Sequence, residues 1–328
     1  MLLAASLLMA ATGFGFAWVN AFWPLLLIAF VGTLNPSGGD VSVFQPLEQA
    51  ILAQSVAPAE RTALFTRYSF FSSVMAALGA LAAGAVDALS LVIDRAAAID
   101  GMFVLYGLIG LAAFAVYRPM TPDHADIAGR RQAPLGPSRA KVWRLAGLFA
   151  LDSFGGGFIV NSLLALWLFQ RFDLSAATTG TIFFATGLCS AISFFIAERL
   201  AGRFGLVNTM VFSHLPANVL LIATAFAPDP WLATGLLVVR ALLSQMDVPT
   251  RASFVMAVVT PEERPAAASL TTAPRSLASA LAPTLSGWLL AASSFGWPLV
   301  LAGVIKIVYD LELLRQFARV KPPEEKSP

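Results

Sequence analysis

Apolar residues occur in long blocks along this chain, and polar residues are concentrated in the short segments between the blocks. A helix that crosses a bilayer needs about 20 mostly apolar residues. By this measure the pattern predicts ten spans, near residues 2–19, 21–50, 62–92, 100–117, 143–170, 174–199, 206–227, 230–258, 263–293 and 297–317. Lipid offers no partner to an open strand edge, and no segment alternates like a strand of an outer-membrane barrel. The pattern therefore predicts an all-α integral membrane protein.

Composition leads to the same class. The 328 residues are 58% hydrophobic and 12% charged, whereas soluble chains are about 45–50% apolar and about 25% charged. Soluble enzymes, nucleic-acid-binding domains and disordered chains are excluded together. The net charge of +2 is too balanced to indicate a polyanionic partner. The expected surroundings are a lipid bilayer.

The basic residues predict an orientation. When the ten spans alternate, 17 of the 21 Lys and Arg residues fall on or next to one side of the membrane. Arg95 and Arg171 fall on the other side, and Arg240 and Lys306 lie inside spans. Basic loops stay in the cytoplasm. We therefore expect both termini to be cytoplasmic.

One long polar stretch divides the spans unequally. Residues 118–142 are polar, basic and interrupted by proline, which is typical of a linker. It separates a first bundle of four helices, residues 1–117, from a second bundle of six, residues 143–317. Residues 318–328 form a cytoplasmic tail in this interpretation.

An internal repeat accounts for the imbalance. A shift of 203 residues places Val56–Arg61 on Val259–Arg264, including a proline and a Glu-Arg pair, and the register continues without a gap to Gly84 on Gly287. The third span thus corresponds to the ninth. The first half should then hold six spans, two more than are present.

Two short motifs carry a resemblance to a known family. Leu200-Ala201-Gly202-Arg203-Phe204-Gly205 resembles the signature loop of the major facilitator superfamily, which usually reads L-A-D-R-x-G. Here Gly202 replaces the acid, so a role given to that acid does not carry over. The Pro-x-Glu-Arg turns at 58–61 and 261–264 resemble the loops after the fourth and tenth helices of that superfamily.

The resemblance implies a secondary transporter built from two parallel-repeat bundles. Such a protein moves a small solute by alternating access, and we expect coupling to protons, export in preference to uptake, and a bacterial-type cell (inner) membrane. The spans present would be helices 3–12 of twelve. We expect the biological protein to be longer at its N-terminus; a natural ten-helix variant is the alternative.

Charges deep inside spans are costly and mark candidate functional residues. Arg240 lies about 14 Å into its span, near the bilayer midplane, and Asp247 follows two turns later on the same face. Asp152 lies at a similar depth, ahead of Gly155-Gly156-Gly157 and Asn161. We assign Asp152, Asn161, Arg240 and Asp247 to the substrate pathway or to coupling. The three glycines indicate either a bending point or a close helix contact.

A second group of residues is assigned to gating. Asp40 follows Asn35-Pro36-Ser37-Gly38-Gly39, a run that cannot stay helical without strain. The resemblance implies that an acid there latches to the signature loop; proton coupling and simple solvation are the alternatives. Asp247 could latch in the same way to Arg203 or Arg199, beside Gly205.

Three pairings are expected inside the second bundle. Arg240 needs a buried acid, and Asp152, at similar depth, is a better partner than Asp247. Lys306 and Asp310 are four residues apart on one helical face and should pair. His214 is expected to be a hydrogen-bonded core residue, with titration near neutral pH as the alternative.

No catalytic set is visible in the sequence. It contains no H-E-x-x-H, no G-x-S-x-G and no Walker loop, and the single cysteine, Cys189, lies in an apolar run without metal-ligand spacing. No cofactor or metal is expected. The rivals to a transporter are a non-transporting scaffold or receptor, an inactive fragment, and a membrane-embedded enzyme.

Overall fold

The computed structural model describes residues 2–33, 44–119 and 135–320. Within these ranges the chain forms thirteen α-helices and two 3-10 turns, and it contains no β-strand. The helices are α1 Leu2–Trp18, α2 Phe22–Val31, α3 Gln45–Ser55, α4 Arg61–Leu89, α5 Arg95–Tyr117, α6 Arg139–Gly157, α7 Asn161–Phe172, α8 Ala176–Phe204, α9 Leu206–Ala225, α10 Pro230–Ser244, α11 Asp247–Ala257, α12 Arg264–Ala292 and α13 Trp297–Phe317. The 3-10 turns are Pro58–Glu60 and Pro261–Glu263.

Each predicted span contains helix in the described residues. The span near 21–50 contains α2 and most of α3, with residues 34–43 outside the described ranges, and two further spans are broken within the described chain. The span near 143–170 divides into α6 and α7, and the span near 230–258 divides into α10 and α11. Pro249 explains the second break: it has no N–H to donate back to Gln245, which lies in the gap between the two helices. The first break follows Gly155-Gly156-Gly157, where helix propensity is lowest.

Five helical segments of the described chain are long and apolar enough to cross a membrane. They are Arg95–Tyr117, Arg139–Phe172, Thr178–Phe204, Leu206–Ala225 and Pro230–Ala257. Helices α12 and α13 have sufficient length but carry buried charges, namely Arg264 and Arg275 on α12 and Lys306 and Asp310 on α13. Helices α12 and α13 are therefore not among the five apolar segments, and both bring buried charge into the bundle.

The chain clusters into two units, Met1–Ile51 with Met75–Arg130, and Leu52–Val74 with Arg131–Pro328. In the first unit α1 packs along α5 through small residues. A Cβ on Gly13 would collide with the backbone of Gly107, and a Cβ on Gly110 would lie 2.6 Å from the backbone nitrogen of Ala10. The small residues thus allow the two backbones to approach closely, as in other membrane helix pairs.

The second unit contains α6–α13 and the start of α4. Helix α12 packs along α6, α13 packs on α9 and α6, and α9 packs on α10. Two apolar clusters fill this unit, one around Phe149, Phe254 and Leu313, the other around Trp167 and Leu221. The buried charges described below lie among these helices.

The sequence repeat has a structural counterpart. Helices α4 and α12 are both 29 residues long, and a three-residue 3-10 turn precedes each of them. Arg61 and Arg264 occupy the first position of the two helices. The turns that suggested the repeat are therefore the same local structure in both halves.

Candidate functional site

Asp152 is the centre of a buried ionic network in the second unit. It lies on α6, one turn before the glycines, with 5% of its surface exposed. Its Oδ1 accepts a hydrogen bond from Lys306 Nζ at 2.6 Å, and its Oδ2 accepts one from Arg251 Nη1 at 3.1 Å. Lys306 and Arg251 are also buried. One carboxylate thus joins α6 to α11 and α13.

Arg251 extends the network to a second acid. Its Nη1 lies 3.2 Å from Asp247 Oδ2, one turn earlier on α11. Its guanidinium also lies over the ring of Phe149, 5.5 Å from the ring centroid, at a distance where a cation is attracted to an aromatic face. Because α11 begins at Asp247, the helix break positions this pair beside α6.

A second branch connects α9 to α13. His214 Nδ1 lies 2.8 Å from Asp310 Oδ1, and Asn218 donates its Nδ2–H to Asp310 Oδ2 at 2.9 Å. The other ring nitrogen of the histidine, Nε2, lies 3.9 Å from Asp152 Oδ1. The imidazole thus stands between two buried carboxylates.

Two polar atoms near this branch have no hydrogen-bond partner among the described residues. They are the hydroxyl of Tyr309 and the Oδ1 of Asn218, and both side chains are almost completely buried. Tyr309 makes an edge contact with the His214 ring, with centroids 6.0 Å apart. Buried unsatisfied groups are rare in folded proteins. The centre of the network is therefore polar beyond its ion pairs.

The glycine run fulfils both roles considered for it. Helix α6 ends at Gly157, so the run marks a break. A Cβ on Gly157 would lie 2.7 Å from Ser279 O and from Ala282 Cβ, which shows a close contact with α12. Next to the break, Ser286 donates to the carbonyl oxygen of Phe158 at 2.7 Å. This bond satisfies a backbone group that the end of the helix leaves free.

Two of the expected pairings are wrong. Asp152 pairs with Lys306 and Arg251, and Arg240 forms no ion pair with any residue in the described ranges. Lys306 and Asp310 share a helix face, but Lys306 contacts α6 and Asp310 contacts α9. Packing on two different helices separates them. His214 is a hydrogen-bonded core residue, as expected.

The remaining predicted residues are not gathered at this network. Asn161 is exposed at the start of α7. Arg199 and Arg203 are exposed near the end of α8, and Asp247 contacts Arg251 in place of either of them. The latch proposed between Asp247 and the signature loop is therefore not formed in this structure.

Two gating residues need separate mention. Gly205 has a φ of 88° and joins α8 directly to α9; this left-handed conformation favours glycine. Asp40 lies outside the described residues, so its latch role stays a prediction.

Arg251 belongs to the network but is absent from the residues that the sequence assigned to the site. Lys306, Asp310 and His214 were expected there only as a helix-face pair and a core residue. The position of Arg251 near the end of its predicted span places it among the 17 basic residues on or next to the cytoplasmic side. The signal that could have identified it is Asp247, four residues earlier, a spacing that places both side chains on one helix face.

Comparisons with known proteins agree with this architecture. The family model of the Major Facilitator Superfamily matches residues 145–328. An uncharacterized membrane protein of Saccharomyces cerevisiae is 21% identical over 352 residues, which cover 95% of this chain and 78% of the yeast protein.

Solved structures show the same fold. The human organic anion transporter MFSD10 aligns with a TM-score of 0.73 and 17% identity, covering 95% of this chain and 76% of the other. The proton:xylose symporter XylE aligns with a TM-score of 0.72 and 15% identity, covering 99% and 81%. The Escherichia coli fucose:proton symporter FucP aligns with a TM-score of 0.66 and 13% identity, covering 95% and 82%. The chain is thus a multi-pass membrane transporter rather than an enzyme, and it belongs to the Major Facilitator Superfamily.

Proposed function

We propose that this protein moves a small solute across the membrane by alternating access and couples that movement to protons. The observation that carries the proposal is the position of His214, with Nδ1 2.8 Å from Asp310 Oδ1 and Nε2 3.9 Å from Asp152 Oδ1. An imidazole between two buried carboxylates is suited to hold a proton inside an apolar bundle.

One proton already lies between His214 and Asp310. Two unprotonated acceptors would repel each other at 2.8 Å, so either Nδ1 or the carboxyl carries a hydrogen. When Nδ1 carries this hydrogen, the Nε2 atom is free to take a second proton. That proton would place a positive charge beside Asp152, which already binds Lys306 and Arg251.

Protonation would then change what holds the helices together. A third cation at Asp152 competes with Lys306 and Arg251 for the same two oxygens. Weaker contacts to these residues loosen α6 from α11 and α13. A change in the packing of buried helices is how a local charge can bias a transporter between two conformations.

The solute, the direction and the membrane belong to the same proposal. The similar structures of XylE and FucP are those of proton symporters for sugars, and MFSD10 transports organic anions, which supports a small solute and proton coupling. We propose export, because the expected pathway is rich in Phe and Ala. We place the protein in a cell (inner) membrane with both termini cytoplasmic.

Orientation is tested with reporter fusions. A reporter fused after Ala133 should be cytoplasmic, and one inserted near Asp229, between α9 and α10, should be external. The reverse pattern would refute the proposed orientation.

Coupling is tested in vesicles that contain the purified protein and carry an imposed pH gradient. Radiolabelled sugars, amino acids and monocarboxylates serve as probes, and both accumulation and exchange are measured. We expect Asp152→Asn and His214→Gln to abolish accumulation against a gradient but to retain exchange, because exchange needs the binding site but no net proton transfer. Glu262→Gln, at an exposed position of the 3-10 turn Pro261–Glu263, is the matched control.

Two results would contradict the coupling role. The first is normal accumulation by Asp152→Asn. The second is equal accumulation by wild type with and without the pH gradient. If Asp152→Asn fails to fold, the His214→Gln result decides, since glutamine still offers Asp310 a hydrogen-bond donor.

A further inference from the structure

Arg240 differs in its contacts from the buried cations of the second unit. Arg251 and Lys306 each contact Asp152, and Arg275 donates to Ser153 Oγ at 3.1 Å. The Nε of Arg240 is buried without a hydrogen-bond partner, and none of the described residues forms an ion pair with its guanidinium.

The side chain nevertheless faces the inside of its bundle. Arg240 shares a helix face with Leu237 and Ser244, three residues before it and four after it, and both are buried. Val239, about 100° around the helix from Arg240, is 49% exposed. Arg240 itself is half-buried, so a solute is not sealed off from it.

The acid that acts on Arg240, Asp152, does not form an ion pair with it. Asp152 acts on Arg240 electrostatically, but its Oδ1 is bound by Lys306 and its Oδ2 by Arg251. An arginine in the hydrocarbon region without a partner is costly. The position is therefore maintained at a cost in stability, and a partner from outside the chain would offset that cost.

We propose that Arg240 binds the carboxylate of the transported solute, so that the substrate is a small organic monoanion. The guanidinium presents parallel N–H donors that match the two oxygens of a carboxylate. The inference rests on the proposed transport function and specifies its substrate class.

The charge of the surroundings limits the ligand to one negative charge. Asp152, Asp247 and Asp310 lie in the same network, opposite the cations Arg251 and Lys306. With Arg240 included, three cations face these three acids, so the net charge of the set is zero when His214 is neutral. A monoanion adds one negative charge to this balanced set and a dianion adds two, while Arg240 is the cation available to either, so we expect the dianion to bind more weakly.

The test compares acids with their uncharged isosteres. Benzoate, octanoate and phenylacetate, each matched with its primary amide, and benzene-1,4-dicarboxylate as a dianion, are added to purified protein, and the melting temperature and the dissociation constant are measured. We expect at least one monocarboxylate to stabilise wild type, while its amide and the dianion do not. Arg240→Gln should weaken that binding by about tenfold or more. Arg240→Lys should weaken carboxylate binding less than Arg240→Gln does.

The ligand-free variants separate a binding role from a structural one. If Arg240 has no partner in the protein, Arg240→Gln should melt at the same or a higher temperature than wild type before ligand is added. A residue that stabilises the bundle would lower the melting temperature when replaced. Arg171→Gln, at an exposed position in the last turn of α7, should leave both melting and binding unchanged.

Each outcome decides between the alternatives. The inference falls if no carboxylate binds, if the amides bind equally well, or if Arg240→Gln binds carboxylates as tightly as wild type. If the carboxylate binds through Arg240 but is not accumulated with a pH gradient, the substrate class stands and proton coupling fails. If a neutral solute is accumulated equally by wild type and Arg240→Gln, coupling stands and this inference fails.

Discussion

Arg61 and Arg264 donate hydrogen bonds to the same backbone oxygen, the carbonyl of Ala53. Arg61 Nε lies 3.3 Å from it and Arg264 Nη1 lies 3.4 Å from it. Arg264 Nε also donates to Met256 O at 3.2 Å. The shift that places Arg61 on Arg264 places Ala53 on Met256, so the repeat encodes the same bond twice.

This hydrogen bond from an arginine to a backbone carbonyl has the same local role in both halves. Ala53 and Met256 lie in the last turns of α3 and α11, where carbonyl groups lack helical partners. A guanidinium there satisfies a free carbonyl and interacts favourably with the negative end of the helix dipole. Arg264 adds a bond to the first-half carbonyl, and this bond connects the repeats within the second unit.

The shared carbonyl predicts an effect of Arg264→Lys. Lysine keeps the charge but has a single nitrogen, which cannot reach Ala53 O and Met256 O together in the geometry of the guanidinium. Loss of one charged hydrogen bond should lower the free energy of unfolding by about 1.5–3 kcal/mol. Thermal melting in detergent measures this loss. Arg203→Lys is the control, since Arg203 is exposed; equal melting of both variants would contradict the prediction.

Asp152 and Lys306 should be energetically coupled. Lys306→Met leaves Asp152 short of one partner in a buried site and should cost about 3–5 kcal/mol. The double variant with Asp152→Asn should recover part of that cost, with a coupling energy of about 0.5–3 kcal/mol. Chemical unfolding in detergent supplies the four free energies of the cycle.

The same helix offers a matched control for this cycle. Arg315 and Glu312 form an ion pair at 3.2 Å, and the arginine side chain is 76% exposed. Arg315→Met should change the free energy of unfolding by at most about 1 kcal/mol. If Lys306→Met and Arg315→Met lower the free energy of unfolding by similar amounts, burial does not strengthen the contact between Lys306 and Asp152.

Neighbouring glycines should respond in opposite ways to alanine. A Cβ on Gly157 would lie 2.7 Å from Ser279 O, a backbone atom that cannot give way, and Gly157→Ala should destabilise by about 1–3 kcal/mol. A Cβ on Gly156 would lie 3.8 Å from the Lys306 side chain, which is ordinary contact. Gly156→Ala should be neutral or stabilise by up to about 1 kcal/mol. Melting temperatures of both variants decide whether contact or bending explains the run.

Glu263 should make stability depend on acid pH. Burial raises the pKa of its carboxyl, but hydrogen bonds from the Ser138 side chain and from the backbone at Gly136 and Ser138 lower it more, so that the pKa lies below its ordinary value of 4.5. The Gly136 N–H donates to Oε1 at 2.6 Å. A carboxyl with a lowered folded pKa stabilises the protein above its unfolded pKa, and this contribution is lost as the pH falls through the folded value.

Substitution isolates this contribution. Glu263→Gln should melt below wild type at neutral pH, and the difference should shrink as the pH falls below about 4.5. Melting curves from pH 7 to pH 3 measure it, with Glu262→Gln, at the exposed neighbouring position, as control. A difference that does not vary with pH would rule out the titration of Glu263 as its source.

Hydropathy predicted where the apolar helical segments lie, although not the breaks after Gly157 and Ser244, because the cost of exposing backbone to lipid leaves no other structure for long apolar blocks. The predicted span near 297–317 is α13, Trp297–Phe317, and the one near 206–227 is α9, Leu206–Ala225. The repeat was also readable, since Pro-x-Glu-Arg produces the same turn at both positions. These features depend on residues close together in the chain.

The partners of the buried charges depended on packing between helices distant in the chain. Lys306 and Asp310 are one turn apart, and spacing alone favours a pair between them. The structure places α6 beside one end of this turn and α9 beside the other, so Lys306 binds Asp152 and Asp310 binds His214. Arg240 remains without a described partner because both oxygens of Asp152 are already bound. A sequence pattern contains the charges, but which helices adjoin at a given depth is a property of the assembled bundle.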